Sequence, residues 1–283
     1  MRLAKDWIEY ECIDCGDGMK IERFGPYILK RKEPSWTQPL TNTPFEFNGI
    51  HTQHGWETHN LPDTWTIHYK DMAMELKPTE FKHLGIFPEQ AVNWDFIRAS
   101  IQRANKPLRI LNLFGYTGGA TIACAMENVE EVVHIDALKS AISRTQENIK
   151  LNTLEDKKIR TIVDDVMKFL AREKRRGRTY HGVILDPPSF GRGPNKEIWE
   201  IKKDLEPLLN AVNDILDKDV EFIVLNTYSS HITKREVHAI ASRIFKPLKG
   251  ILDTQHIGVP ITLKDKPLIL GQTTRWTKHE NLL

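Results

Sequence analysis

The chain has 283 residues, of which 40% are hydrophobic and 28% are charged, and its formal net charge at pH 7 is +2. This length can bury a sizeable core in one large domain or in two unequal ones. The sequence contains no run of about 18 apolar residues, so we expect no membrane span. Three cysteines make no disulfide framework, and no apolar signal core is present near the start, so we expect a cytoplasmic protein. The near-neutral charge by itself gives no evidence of nucleic-acid binding.

The first part of the chain, residues 1–78, predicts a small β-rich domain. It is rich in Trp, Thr, His and Pro, and residues 23–32 and 64–70 predict strands because apolar and polar residues partly alternate there. Prolines and an Asn-Gly pair mark loops between these segments. We expect this domain to have a possible role in substrate recognition and the remainder, residues 79–283, to carry the chemistry.

Beyond residue 78, short β-branched or leucine-rich segments alternate with amphipathic helical ones. The predicted strands are residues 109–114, 131–136, 159–164, 182–187 and 221–226, with two closing strands in ILDTQHI and KPLILGQTTRW. Strands that alternate with helices are typical of a parallel sheet covered on both faces. The pattern therefore predicts an α/β fold with a doubly wound, mostly parallel seven-stranded sheet, in which ligands bind at the carboxyl ends of the strands.

A glycine cluster follows the first of these strands, in the stretch ILNLFGYTGGATIACA. Gly115, Gly118 and Gly119 allow a sharp turn and a close approach of backbone to a ligand, although they can equally serve helix-on-strand packing alone. Asp136 ends the next strand about 20 residues on, where a carboxylate can accept hydrogen bonds from ribose hydroxyls. The pattern G-Y-T-G-G does not match the G-x-G-x-x-G that seats a pyrophosphate. It therefore favours S-adenosylmethionine, which has no phosphate, over a dinucleotide.

Acidic residues also end the third and fourth predicted strands, at Asp164, Asp165 and Asp186. One aspartate at such a place is commonly a helix N-cap, and this alternative stays open for Asp165. Two prolines after Asp186 stop the strand ladder and leave carbonyl groups without a sheet partner. Together with Phe190 they predict a place where a flat base is held by hydrogen bonds and stacking, the alternative being a stiff turn without function.

The ordered motifs GYTGG, HIDALK, DDVMKF and LDPPSFGRG, with FKHLGIFPEQ before them, resemble those of class I S-adenosylmethionine-dependent methyltransferases. They are most similar to the subgroup related to bacterial 23S ribosomal RNA methyltransferases, which make 5-methylcytosine and 7-methylguanine. The resemblance covers roughly residue 79 to the end of the chain and is specific for the cofactor, much less so for the substrate. It implies methyl transfer from S-adenosylmethionine to an acceptor, in the first place a base in ribosomal RNA.

The resemblance also implies which residues form the site. Asp136 would bind the ribose hydroxyls, and Asp165 would bind the adenine amino group with Val166 beside the ring. Asp186 and Pro187 would border the transferable methyl group. The residues implied on the methionyl and ribose side, and in a segment closing over the cofactor, are Asn112, Phe114, Gly115, Tyr116, Thr117, Gly118, Phe87 and Gln90. For Phe87, simple core packing is the alternative.

Cysteine positions bear on the chemistry. Carbon-5 of cytosine becomes nucleophilic only after an enzyme thiolate adds to the ring, and relatives that do this carry a cysteine in the loops after the fourth or fifth strand. Here those loops read DPPSFGRG and NTYSSHIT. Cys124 is expected in the core, and Cys12 and Cys15 form a lone C-x-x-C, which is too little for a zinc site. We therefore expect no metal, and methylation of a nitrogen or another inherently nucleophilic atom.

Several alternatives remain at this point. The enzyme can instead act on a protein or a small molecule. A nucleotide-dependent oxidoreductase would need the missing G-x-G-x-x-G, and a non-catalytic RNA-binding module would keep the fold without cofactor affinity. The basic run REKRRGR, residues 172–178, either contacts RNA phosphates or forms a solvated helix end that complements the helix dipole.

Overall fold

The structure is a computed structural model that describes residues 1–192 and 198–282. The chain divides into two compact units. They are unit 1, with Met1–Val92 and Ile257–Leu270, and unit 2, with Asn93–His256 and Gly271–Leu283. Among the described residues, no helix has the length and apolar character needed to cross a bilayer.

Unit 1 extends past residue 78 and includes a segment from near the end of the chain. The backbone N–H of Lys77 donates to the Leu84 carbonyl at 2.9 Å, and Arg31 donates to the Lys82 carbonyl at 2.9 Å, so the residues after 78 fold onto unit 1. Thr262 donates in the same way to the Cys12 carbonyl at 2.9 Å. Long-range hydrogen bonds of this kind leave no signal in local composition. The functional division at residue 78 stays a prediction.

Unit 1 is rich in β-structure, as predicted. Its strands are β1 (Arg2–Leu3), β2 (Tyr10–Gly16), β3 (Met19–Phe24), β4 (Tyr27–Lys32), β5 (Gly49–Thr52), β6 (Gly55–Thr58), β7 (Trp65–Tyr69) and β8 (Met72–Leu76). Strands β2 to β6 form one sheet in chain order, and β7 pairs with β8 in a hairpin. The strand predicted over residues 23–32 is wrong as a single strand, because Gly25 adopts φ +61° and the chain reverses there between β3 and β4.

Unit 2 contains the alternating part of the chain. Its elements are α1 (Ala91–Ala104), which begins in unit 1, then β9 (Leu108–Leu113), α2 (Gly119–Ala125), β10 (Val129–Asp136), α3 (Lys139–Leu151), β11 (Ile159–Val163), α4 (Val166–Arg175), β12 (Gly182–Leu185), β13 (Phe190–Arg192), β14 (Ile198–Glu200), α5 (Ile201–Asn213), β15 (Phe222–Thr227), α6 (Lys234–Phe245), β16 (Ile251–Val259) and β17 (Leu268–Thr277). Strands β16 and β17 each run partly in unit 1. The sequence predicted the alternation and the order of these elements.

The main sheet has the order β16-β17-β15-β12-β9-β10-β11. The pairs from β15 to β11 are parallel, and β17 is antiparallel to β15. The predicted mostly parallel sheet of seven strands is thus confirmed, and the two-residue β1 adds an eighth strand by pairing with β16 at Ile257 and Gly258. Strands β9, β12 and β15 are almost entirely buried because helices cover both faces, which explains their apolar sequences.

The strand order reverses beside β9. The chain passes from β9 to β10 and β11 on one side, and then returns to β12 and β15 on the other. In open parallel sheets this switch point leaves a crevice at the carboxyl ends of the two central strands. Leu113 of β9 pairs with Leu185 of β12, so the glycine turn and Asp186 follow at neighbouring positions.

Candidate functional site

The turn after β9 has an unusual backbone. Phe114 adopts φ +57°, Tyr116 φ +52° and Gly118 φ +89°, so three of five consecutive residues are left-handed and two of them carry large side chains. Such conformations cost free energy in residues other than glycine and persist only when the surroundings enforce them. The glycine cluster is therefore a specifically shaped turn between β9 and α2.

The packing beneath the turn explains two of the glycines. A Cβ atom on Gly115 would lie 2.3 Å from His134 Cε1, and one on Gly118 would lie 2.7 Å from Thr145 Cγ2. Both distances are far inside contact range, so any side chain at these positions would displace β10 or α3 residues. Gly115 and Gly118 therefore do serve close packing, which was the alternative considered for the glycine cluster. The same packing holds the turn against β10 and α3.

A chain of buried hydrogen bonds supports the turn from the sheet. Asn112 Nδ2 donates to Thr121 Oγ1 at 2.9 Å, and Thr121 Oγ1 lies 2.8 Å from His134 Nδ1. His134 Nε2 lies 3.3 Å from Thr145 Oγ1, which donates to the Tyr116 carbonyl at 2.9 Å. This order assigns the proton of a neutral His134 to Nε2, and burial lowers the pKa of His134 to about 4. Asn112 therefore lies under the turn, and its predicted contact with the cofactor stays a prediction.

Sequence reasoning missed Thr121, His134 and Thr145. All three are fully buried. His134 occupies an inward position of β10 among valine and isoleucine, two residues before Asp136. A histidine at such a position is a visible signal, because a buried imidazole needs partners for both nitrogens.

Asp136 ends β10 and binds the turn directly. Its Oδ2 accepts from the Tyr116 backbone N–H at 2.9 Å, and its Oδ1 accepts from the Leu138 N–H at 2.8 Å. Burial raises the pKa of Asp136 above its ordinary value, although these backbone hydrogen bonds oppose the effect. Thr117 is buried, and its carbonyl accepts from Asn148 Nδ2 at 2.8 Å. The Asp136 carboxylate also accepts from the Ala137 N–H, so one of its four lone-pair sites is left for a further donor such as a ribose hydroxyl.

The next strand ends in Asp164 and Asp165. Asp165 is the N-cap of α4, since its Oδ1 accepts from the Lys168 N–H at 2.8 Å, and the helix-cap interpretation is confirmed. Within residues 1–192 and 198–282, its Oδ2 has no hydrogen-bond partner, so one oxygen remains to accept from an adenine amino group. Val166 is buried in the core, which leaves it little surface to offer a ring.

Two exposed apolar side chains lie at the ends of the same pair of strands. Val163 is paired in register with Asp136, and Leu138 follows Asp136 by two residues. Leu138 is 59% exposed and Val163 is 49% exposed, in contrast to the buried residues before them. Large apolar side chains left in solvent beside a ligand site are candidates for ring contact. Leu138 was missed from the sequence, where it reads as the first residue of an ordinary helix.

The DPPSF segment is only partly as predicted. The Pro188 carbonyl accepts from Trp199 Nε1 at 2.6 Å, and the Ser189 carbonyl accepts from the Ile201 N–H at 3.1 Å. These two carbonyls therefore have partners, and the prediction of a set of free acceptors is wrong for them. The reason is the β13–β14 hairpin, which folds back on the segment. The Pro187 carbonyl has no partner in the part of the chain that the structure describes.

Phe190 begins the hairpin and is 56% exposed. Next to it in the hairpin, Trp199 packs its ring 5.7 Å from that of Phe114 in the glycine turn. Phe114 and Trp199 thus connect the turn and the hairpin, while Phe190 keeps a free face. The last glycine of the LDPPSFGRG motif, Gly193, lies outside the described residues.

Two predicted residues belong to unit 1. The Phe87 ring lies 5.3 Å from the His83 ring, and the Gln90 N–H donates to the Phe87 carbonyl at 2.9 Å in a short 3₁₀ turn. Burial, followed by Arg31 and other cations, lowers the pKa of His83 to about 4. The role of Phe87 and Gln90 in closing over a cofactor stays a prediction.

Four of the five cations of the basic run form ion pairs within the chain, and the contact of the run with RNA stays a prediction. The ion pairs of the basic run are Arg172–Asp164, Lys174–Asp214, Arg176–Glu173 and Arg178–Glu131. All three cysteines are free and buried, with the Cys12 and Cys15 sulfurs 3.6 Å apart and Cys124 inside α2. Among the described residues, no group of three or more His, Cys, Asp or Glu side chains could hold a metal ion.

The turn and the strand-end carboxylates thus lie at the carboxyl ends of the strands in an α/β protein of the doubly wound class, the place where a nucleoside was predicted to bind. A family model for S-adenosylmethionine-dependent methyltransferases matches residues 51–218, more than half of the chain, and the chain belongs to this family. The match begins in unit 1 and runs into unit 2.

Curated relatives match a shorter segment. Ribosomal RNA large subunit methyltransferase I from Erwinia tasmaniensis is 34% identical over 99 residues, which are 35% of this chain and 25% of that protein. The protein of the same name from Salmonella arizonae is 34% identical over 93 residues, 33% of this chain and 23% of that protein. The match thus spans about a quarter of the length of these relatives.

Solved structures resemble nearly the whole chain. The SAM-dependent methyltransferase from Agrobacterium tumefaciens has a TM-score of 0.92 and 31% identity, covering 96% of this chain and 91% of that one. The methyltransferase SMU.776, crystallised with SAH, has a TM-score of 0.76 and 19% identity, covering 96% and 76%. The second likeness concerns the fold. Membership of the S-adenosylmethionine-dependent methyltransferase family speaks against a nucleotide-dependent oxidoreductase.

Proposed function

We propose that this enzyme methylates a base in RNA without using a cysteine nucleophile. The RNA that we expect it to methylate is ribosomal RNA. The observation that carries the proposal is the register of β9 and β12. Because of this register, the glycine turn, which Asp136 binds, and Asp186 follow neighbouring strands. The three thiols of the chain are buried elsewhere. An exposed Phe190 accompanies Asp186.

The residues around the turn suit the cofactor. S-adenosylmethionine supplies a methyl group activated by a positive sulfur, so the protein has to align donor and acceptor and exclude water. Asp136 would accept from a ribose hydroxyl with the lone pair that the three backbone N–H groups leave. The free Asp165 oxygen would accept from the adenine amino group, and the Leu138 side chain would cover the ring.

The residues after β12 suit a planar acceptor. Phe190 would stack on the base, because every base offers a π-face and this ring is exposed. The Pro187 carbonyl would orient the base by accepting from an N–H group. Asp186 would accept the proton that a nitrogen acceptor loses.

The RNA substrate is inferred from the relatives named ribosomal RNA large subunit methyltransferase I, which match about a third of this chain. A ribosomal RNA substrate would make the cytoplasm the site of the reaction. We further propose that the first 78 residues recognise the substrate. An acceptor on a protein or on a small molecule is the second outcome that an experiment must test.

The experiment is transfer of tritiated methyl from S-adenosylmethionine to separated RNA and protein fractions of a cell lysate. We expect label in RNA, and we expect Asp186→Ala to lose most of it while cofactor affinity stays close to that of the parent. Asp156→Ala, in an exposed loop, is the matched control and should keep full activity. Label confined to the protein or small-molecule fraction would overturn the RNA substrate.

A further inference from the structure

Helices α5 and α6 both begin at the edge of the sheet that carries the candidate site. α5 follows the parallel strand β12 by way of the β13–β14 hairpin, and α6 follows the parallel strand β15. Hydrogen bonds from Thr233 lower the pKa of Glu236 in the first turn of α6, and the nearby charge of Lys202 in α5 lowers it further. Further along both helices, Arg243 Nη2 lies 2.6 Å from Glu206 Oε2. The two helices therefore run side by side in the same direction, and their first turns form one surface.

Three cations lie on this surface without a partner. The side chains of Lys202 in α5 and of Lys234 and Arg235 in α6 make no ion pair or hydrogen bond within the described parts of the chain. Lys202 and Arg235 are exposed, and Lys234 is half-buried. We call these three residues the basic surface.

The carboxylates nearest to the basic surface are engaged in other contacts. Glu200 Oε2 lies 2.7 Å from Lys203 Nζ, so this pair is set apart from the three cations. Asp204 Oδ2 accepts from the Glu200 backbone N–H at 2.7 Å. Glu236 Oε2 accepts from the backbone N–H and the hydroxyl of Thr233, both at 2.7 Å, in a capping box. The basic surface therefore keeps its charge available for an anion from outside the chain.

The position of the three cations does not serve the stability of the helices. The start of a helix carries a partial positive charge, so cations in the first turn are unfavourable there, whereas a lysine at the end, such as Lys246 at the C-cap of α6, is favourable. Lys202 is the second residue of α5, and Lys234 and Arg235 are the first two of α6. A local choice that opposes the fold is expected where a residue serves a ligand. An anion would complement both the cations and the helix starts.

Exposed apolar side chains lie next to the basic surface. Phe190 pairs with Glu200, the residue directly before α5, and it is 56% exposed. Ile198, two residues before Glu200 and therefore on the same face of the hairpin, is 60% exposed. Cations beside an exposed aromatic ring are the combination that binds single-stranded nucleic acid, because the cations follow the phosphates while the ring stacks on a base.

We propose that the basic surface binds the phosphate backbone of the single-stranded RNA that flanks the acceptor base. Contacts to phosphates fix the position of a strand and carry no sequence information, so Lys202, Lys234 and Arg235 would hold the RNA whatever its sequence. An acidic peptide could also pair with the cations, but it would leave the exposed Phe190 without a base to stack on. This inference rests on the proposed function and names the contact that holds its substrate.

The test is a triple variant with Lys202→Gln, Lys234→Gln and Arg235→Gln in the full chain, and the probe is a fluorescent single-stranded oligouridine. We expect the Kd at about 50 mM salt to rise by about 10- to 50-fold. The slope of log K against log salt concentration should flatten by about 2, since each phosphate contact with a single strand contributes about 0.7. Oligoadenosine should lose affinity by the same factor. An unchanged Kd and slope would overturn the inference.

The matched control is Lys246→Gln with Lys249→Gln. Both lysines are exposed and lie at the other end of α6, about 18 Å from its start for a helix of 12 residues. We expect this variant to bind oligouridine within about twofold of the parent. An equal loss in the two variants would mean that overall charge decides the affinity and would overturn the assignment. The Tm of the triple variant should be no lower than that of the parent, because the removed charges opposed the helix dipoles.

Two further readouts separate the alternatives. Polyglutamate of the same charge should compete with oligouridine at least about tenfold more weakly than unlabelled RNA does, since only RNA offers bases to Phe190. Equal competition would show a surface for acidic chains in general and would overturn the assignment to RNA. In methyl transfer to ribosomal RNA, the triple variant should raise the KM for RNA and bind S-adenosylmethionine as the parent does. Methylated RNA with an unchanged KM contradicts this inference alone, whereas absence of RNA methylation by the parent contradicts the proposed function.

Discussion

The two sides of the strand-end site differ in how completely their polar groups are satisfied. On the cofactor side, from Asn112 through Gly118 and Asp136, backbone and side chains are joined by buried hydrogen bonds. On the proposed acceptor side, the Pro187 carbonyl lacks a partner among the described residues, and Phe190 is exposed. A side that is already satisfied suits one invariant cofactor, whereas open donors and acceptors suit a substrate that must be recognised.

The largest expected effect follows from filling the space under the turn. Gly115→Ala would bring a Cβ within 2.3 Å of His134 Cε1, and both ring nitrogens of His134 are held by threonines. We expect a loss of about 3 kcal/mol in the free energy of unfolding and no measurable binding of S-adenosylmethionine. Urea unfolding and calorimetry check this prediction.

Gly177→Ala is the control for that substitution. Gly177 has φ +63° and would place its Cβ with nothing within 4 Å. It should lose only about 1 kcal/mol, for the left-handed backbone, and keep full cofactor affinity. Equal losses in the two variants would mean that the close contact with His134 adds nothing to the effect of Gly115→Ala.

The next effect concerns the carboxylate that joins the turn to β10. Asp136→Ala should weaken binding of S-adenosylmethionine by about 1.5–3 kcal/mol, because hydrogen bonds to a charged group are lost. Part of the loss would come from the Tyr116 N–H, which donates to Asp136. Unchanged affinity in titration calorimetry would remove Asp136 from the cofactor site.

The sequence predicted the turn after β9 and the place of Asp136 at the end of β10 better than the carbonyls after β12, for a physical reason. Gly115, Gly118 and Asp136 act through backbone shape and strand position, which local sequence encodes directly. The carbonyls of Pro188 and Ser189 were expected to be free, but the β13–β14 hairpin returns to them through Trp199 and Ile201.

Features that depend on distant parts of the chain were missed. The buried hydrogen bond from Asn93 to Asn226, for example, joins residues 133 positions apart. Unit 1 likewise includes residues 257–270, whose hydrogen bonds to the N-terminal part follow from tertiary pairing. Local periodicity carries no information on such contacts.

A smaller effect tests whether the hydrogen-bonded chain needs a neutral imidazole. The pKa of His134 is lowered to about 4 in the fold, whereas an unfolded histidine titrates near about 6.5, so the unfolded state binds the proton first as pH falls. Stability should therefore decline between about pH 6.5 and 4, by up to about 1.4 kcal/mol per pH unit for this residue.

The comparison with His134→Asn isolates this contribution, since other groups titrate alike in both proteins. His83 of unit 1, whose pKa is also lowered to about 4, remains in the variant as an internal reference. We expect the variant to be less stable at pH 7 and to lose less stability on acidification. Parallel stability curves from pH 7 to pH 5 in urea unfolding would show that His134 does not titrate as inferred.

The smallest expected effect on rate is that of Cys124→Ser. The Cys124 thiol is fully buried in α2, and burial raises its pKa well above the usual range, so it is not a thiolate at neutral pH. The serine hydroxyl would be buried there without a designed partner, and we expect a loss of about 1–2 kcal/mol in stability with the methylation rate nearly unchanged.

Trapping with RNA that contains 5-fluorocytosine gives the direct test, because a thiolate that adds to the ring would remain attached to it. We expect no adduct on a denaturing gel, since Asp186 follows β12 and all three thiols are buried elsewhere. A stable protein–RNA adduct that disappears on mutating Cys12, Cys15 or Cys124 would contradict the proposed mechanism. It would also reverse the comparison of the two sides, since covalent attack would then do the work assigned here to Asp186.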